Sequence, residues 1–173
     1  ILAKMTSEQK QIYEKYKDEF PFKIVEFIKE FGIKVIAAKM ESTFSGAICK
    51  DNNNYKIYIN DSHAPARLRF TLAHELGHFF NDKDYLDSNN EITDPSKQAV
   101  LNFLYRKNSP PLDQQMQKMD IDANKFAAEL LMPEKKFIEI WNKETTPEHV
   151  AKFFGVSVEA VKIRASILLG EIF

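Results

Sequence analysis

Residues 74–78 read His-Glu-Leu-Gly-His and lie inside an apolar stretch that includes Phe70, Leu72, Ala73, Leu76, Phe79 and Phe80. The spacing of these apolar positions predicts a largely buried helix from Pro65 to Phe80. Residues i and i+4 share a helix face, so the imidazoles of His74 and His78 address one point. The bland alternative is an exposed helix whose histidines happen to be four apart, and the apolar flanks argue against it. Two imidazoles and a carboxylate taken into a core are costly without a partner. A divalent cation is that partner, which constrains the fold to one that closes around a metal site on this helix. Glu75, one residue after the first ligand, is placed to reach water at the metal rather than the metal itself, which suits a general base.

A catalytic zinc site takes three protein ligands and keeps one position open. The third has to come from another element, and the helix expected over 114–132, stopped by Pro133, offers Asp120 and Asp122. Asp120 shares a face with Ala123, Asn124, Ala127 and Leu131, small or apolar residues suited to packing on the first helix. Asp122 shares a face with Lys118, Lys125 and Glu129, a solvated stripe of charge pairs. Asp120 is therefore favoured and Asp122 is the alternative. Asn124, one turn after Asp120, is placed to hydrogen-bond a ligating histidine and fix its tautomer; its other reading is a helix-packing amide. Histidine and carboxylate suit Zn2+ and also Mn2+.

The rest of the chain supplies the scaffold. Its 173 residues suit one compact unit. Residues 7–31 read as one helix ending at Gly32. Residues 33–40, 44–50 and 55–60 read as strands, with Asp51-Asn52-Asn53-Asn54 as a turn. The expected class is α+β: a small, mostly antiparallel three-stranded sheet packed on helices. Residues 81–95 read as a loop, and 96–106 fit a helix or a strand. Segments 134–143, 147–154 and 157–169 read as short helices. They form a C-terminal helical lobe (134–173) beside a core of residues 1–133, within the same compact unit.

Within that lobe, Ala151, Gly155, Val156, Ser157 and Val161 follow a helix-turn-helix pattern, with Ser157 opening a second helix that carries Lys162 and Arg164. Residues 147–173 hold three basic and three acidic residues, and the whole chain has net charge -1. There is no basic patch, so direct nucleic-acid binding is not expected. The lone Cys49 cannot form an internal disulfide and reads as an apolar strand residue in a reducing compartment. No apolar run approaches a membrane span and the first residues lack a signal-peptide pattern, so the expected location is cytoplasmic. His63 reads as a turn residue before the motif helix and His149 as structural. Tyr85, Tyr105 and Arg106 are candidates to stabilise an oxyanion or hold substrate.

Two segments together carry a family resemblance. Arg67–His78, RLRFTLAHELGH, and Asp120–Pro133, DIDANKFAAELLMP, resemble the ImmA/IrrE metallopeptidases. The likeness runs from about residue 20 to the C-terminus, and includes Ile59-Asn60 and Tyr105-Arg106. It implies a zincin-like fold, with His74 and His78 as zinc ligands, Glu75 as catalytic base and a carboxylate of the second helix as third ligand. It also implies a zinc-dependent endopeptidase of bacteria, phages or mobile elements that cleaves a helix-turn-helix repressor and so relieves repression. One departure matters: the family usually has Glu where this chain has Asp120. The side chain is one methylene shorter, so the helices sit closer or the metal binds less tightly, and Asp122 or water stands as the substitute. The alternative from another class is a DNA-binding or regulatory module with a structural metal. A closed four-ligand shell would mark that case, an open position the catalytic one.

Overall fold

A computed structural model describes residues 2–51, 53–89, 114–143 and 146–173. After a short 3-10 turn, Leu2–Lys4, the elements run α1 (Ser7–Glu14), α2 (Ile24–Lys29), β1 (Lys34–Ala38), β2 (Gly46–Asp51), β3 (Asn54–Asn60), α3 (Pro65–Asn81) and α4 (Lys83–Asn89). They continue with α5 (Gln114–Leu131), α6 (Glu134–Lys143), α7 (Pro147–Phe154) and α8 (Val158–Leu169). The class is α+β.

The single helix expected over 7–31 is two. Thr6 starts α1 with a capping box: its hydroxyl accepts from the Gln9 amide while the Gln9 side chain accepts from the Thr6 amide. α1 ends at Glu14, and the connection that follows contains Pro21, which lacks an amide hydrogen, before the chain restarts as a helix at Ile24. The apolar spacing survives the break because Phe22, Ile24, Phe27 and Ile28 all enter the core.

The sheet order is β1-β3-β2. β2 and β3 form the antiparallel hairpin expected from the Asp-Asn turn, with Ile48 opposite Ile57. The other ladder, β1 with β3, is parallel, with Val35 opposite Ile57. The chain reverses twice, once through residues 39–45 and once in the hairpin, so β1 and β3 point the same way. Asn60, fully buried, holds the first reversal. Its amide nitrogen donates to the carbonyls of Glu41 (2.9 Å) and Phe44 (3.0 Å), and its oxygen accepts from the Met40 amide (3.1 Å).

α3 crosses one face of the sheet and packs along α5, with Phe80 and Phe126 in ring contact at 5.5 Å. Part of the segment expected as loop is helical. α4 forms because Leu86 is buried in the core and the Tyr55 hydroxyl donates to Asp87; tertiary contacts override a polar local sequence. The helix-or-strand question over 96–106 lies outside the described residues.

The C-terminal helices share the core: Phe137, Phe154 and Val161 are fully buried in the cluster that holds Phe22 and Leu76. Each such side chain contributes ~1.5–3 kcal/mol. Arg69 of α3 ties the lobe down, donating to the carbonyls of Gly155 (3.0 Å) and Phe22 (2.7 Å). α7 and α8 have the caps of a helix-turn-helix pair: Gly155 is left-handed, and the Ser157 hydroxyl accepts from the Ala160 amide. Arg164, however, is not on the outer face of α8. It is buried, donates to the Met132 carbonyl (3.1 Å) and pairs with Glu129. The exposed positions of α8 include Glu159, Ile163 and Ile167. No helix among the described residues is long and apolar enough to cross a membrane.

Candidate metal centre

α3 aims both histidines at one point. Their Nε2 atoms are 3.1 Å apart. From α5, the Asp120 Oδ1 lies 3.4 Å from the Nε2 of His78 and 4.0 Å from that of His74. Ligands about 2.1 Å from a tetrahedral ion stand about 3.4 Å from one another, so the three atoms already frame the corners of such a site. Among the described residues no other cluster of histidine, cysteine and carboxylate meets this criterion.

The far side of each ring decides whether the donors fit a cation. The Nδ1 of His74 is 2.9 Å from the Asn124 Oδ1, and the Nδ1 of His78 is 2.8 Å from the Asp82 Oδ2. Both partners are acceptors, so each Nδ1 carries a hydrogen, which leaves Nε2 as the nitrogen of each ring that would face a cation. Imidazole, imidazole and carboxylate, with outer partners fixing the rings, suit zinc and also manganese.

The short reach of Asp120 has a local cause. A Cβ on Gly77 would stand 3.0 Å from the Ala123 Cα and 3.1 Å from its carbonyl oxygen. Only glycine lets α3 approach α5 this closely. Gly77 lies three residues after His74 and Ala123 three after Asp120, so this close contact sits one turn from those two side chains.

Glu75 is buried, and its Oε2 accepts a 2.9 Å hydrogen bond from the Ile48 amide of β2, an edge strand. Its other oxygen has no hydrogen-bond partner among the described residues. Glu75, His74, His78, Asp120 and Asn124 line one cleft of about 340 Å³. Residues 45–48 form one wall, Met116 and Met119 of α5 another, and Tyr85 and Leu86 of α4 a third.

The remaining sequence candidates separate cleanly. Asp122 faces away, pairs with Lys125 at 3.5 Å and lines a different groove. Tyr105 and Arg106 lie outside the described residues. Tyr85 borders the cleft. The His63 Nε2 meets the Ser42 carbonyl at 3.0 Å in the turn before α3, and His149 is in the first turn of α7. Cys49 is buried in the sheet. The residue that sequence reasoning missed is Asp82. Its spacing of four from His78 was the available signal, obscured because 81–95 reads as a loop.

Burial would lower the pKa of His78, but hydrogen bonding with Asp120 and Asp82 and the charge of Glu75 outweigh it and raise it to about 9. Below that pH the ring holds a proton on the nitrogen a cation needs. Metal binding therefore releases a proton. Apparent affinity should rise about tenfold per pH unit from pH 7 and level off above about 9. Calorimetric titrations in two buffers of different ionisation enthalpy measure the proton count; a flat profile would contradict this electrostatic picture.

The family described as IrrE N-terminal-like domain, a peptidase family, matches residues 28–101 and 105–166. The two segments include α3 and α5. Immunity region protein 2 of Bacillus phage phi105 is 26% identical over 154 residues, covering 89% of this chain and 84% of its own length. A solved Mycobacterium tuberculosis transcriptional regulator aligns with a TM-score of 0.56 and 18% identity over 83% of this chain. The chain spans 40% of that longer protein, and the likeness is one of fold.

Proposed function

Since the chain belongs to the IrrE N-terminal-like family of peptidases, we propose that it is a metal-dependent endopeptidase that cuts a helix-turn-helix transcriptional repressor in the cytoplasm and so relieves repression. The observation that carries this reading is the convergence of His74, His78 and Asp120 beside Glu75 in one cleft. A divalent cation held by those three residues, Zn2+ or Mn2+, would polarise a peptide carbonyl and acidify a water.

The chain's own groups do the rest. Asn124 and Asp82 hold the imidazoles as Nδ1–H tautomers, so that both Nε2 atoms serve as donors. The Ile48 amide anchors one oxygen of Glu75. The other takes the proton of the attacking water and delivers it to the departing amine. Met116, Met119 and Leu86 line the cleft beside these groups and offer apolar contact to a substrate side chain.

The repressor as substrate is supported by the phage relative, an immunity-region protein. The rival reading, a DNA-binding module with a structural metal, is disfavoured by Arg164, which turns inward where a DNA reader would face out. The test is incubation of the protein with the repressor encoded beside it, with and without Zn2+ or Mn2+. Two fragments in the presence of metal are expected. A repressor left intact under every condition would favour the non-enzymatic reading.

A further inference from the structure

We infer that Arg67 selects substrates with an Asp or Glu side chain about three residues from the scissile bond, an inference that rests on the peptidase reading above. Residues 67, 71, 74 and 78 follow one another at steps of four, three and four and so share a face of α3. All four line the same cleft. Seven residues of helix separate Arg67 from His74, an axial rise of about 10 Å. An extended peptide advances about 3.3 Å per residue, so a chain lying along this face passes Arg67 about three residues from the metal donors.

The guanidinium is built to receive a carboxylate there. One of its nitrogens donates to the Ser45 hydroxyl at 2.9 Å. Ser45 is itself held, because its carbonyl accepts from the Asn60 amide at 3.0 Å, in the reversal that the buried Asn60 side chain fixes. Among the described residues Arg67 has no acidic partner, and the other N–H groups of its fork remain available. A planar fork with donors to spare matches a carboxylate in bidentate fashion. Arg69 shows the contrast. Two residues on, it points away from the cleft and spends its donors on backbone carbonyls. Among the described residues the cleft is thus polarised, with Glu75 and Asp120 at one end and the Arg67 guanidinium at the other.

A decapeptide library with randomised positions, incubated with Zn2+ and read by mass spectrometry, tests this. Cut sites of the unaltered protein should be enriched about tenfold in Asp or Glu at one position about three residues from the bond. Arg67→Gln should lose that enrichment, and Arg67→Glu should replace it with Lys or Arg. Metal affinity should be unchanged in both variants, which separates selection from damage to the centre. The same acidic preference in the protein and in Arg67→Gln would overturn the inference. If no peptide is cut with any metal, the peptidase reading is decided by the repressor incubation described above. Retention of the library on immobilised Glu75→Gln protein then decides the Arg67 question: enrichment of acidic peptides that vanishes in Glu75→Gln/Arg67→Gln upholds it, and equal retention overturns it.

Discussion

Glu75→Gln should leave metal affinity unchanged and lower the rate of repressor cleavage by about 10²- to 10⁴-fold, the range general-base catalysis supplies. The carboxamide keeps the shape of the carboxylate and still has an oxygen to accept the Ile48 amide, so α3 stays anchored to β2. His74, His78 and Asp120 are untouched. What is lost is the basicity of the second oxygen, since an amide cannot hold the proton of water. Glu75→Ala would be a poorer probe, because it also strands a buried amide of β2 without its acceptor. Metal content by atomic absorption, together with single-turnover cleavage, separates binding from chemistry. Cleavage at the full rate by the glutamine variant would remove Glu75 from the mechanism.

How far the sequence goes toward this site depends on whether a contact is local. His74, Glu75 and His78 are legible because five residues of one helix place them. That Asp120 rather than Asp122 lies beside the histidines is legible too, because helical periodicity separates a packing face from a solvated one, and the two aspartates do diverge. Asn124 follows from the same face. What periodicity cannot show is what happens where one element meets another. Asp82 caps the end of α3, just past the apolar pattern. The polar residues of α4 gain helical order only because Leu86 and Asp87 find tertiary partners. Arg164 reads as a surface cation until the Met132 carbonyl and Glu129 are brought beneath it. The parallel pairing of β1 with β3 depends on the path of residues 39–45, which the Asn60 side chain sets from a distance.

Asp120→Ala should weaken metal binding by more than about a hundredfold, beyond the 10–100-fold that loss of an outer partner such as Asn124 or Asp82 costs. The removed group is the only donor from α5 in the cluster, and two histidines on one helix leave half the shell to solvent. Its short side chain reaches the histidines because Gly77 lets Ala123 come close, which makes a second, sharper prediction. Gly77→Ala puts a methyl 3.0 Å from the Ala123 Cα and 3.1 Å from its carbonyl oxygen, so the helices must part by a few tenths of an ångström, at a cost of about 1–3 kcal/mol of stability. Metal affinity should fall although every donor remains. A longer carboxylate should then recover the reach: Gly77→Ala/Asp120→Glu should bind metal more tightly than Gly77→Ala alone, while Asp120→Glu by itself should bind less tightly than the unaltered protein. That reversal of sign distinguishes helix spacing from general damage, since a merely destabilised centre would be worsened by both changes. Asp120→Ala binding metal as well as the unaltered chain would show that this carboxylate is not a ligand, and the spacing argument would fall with it.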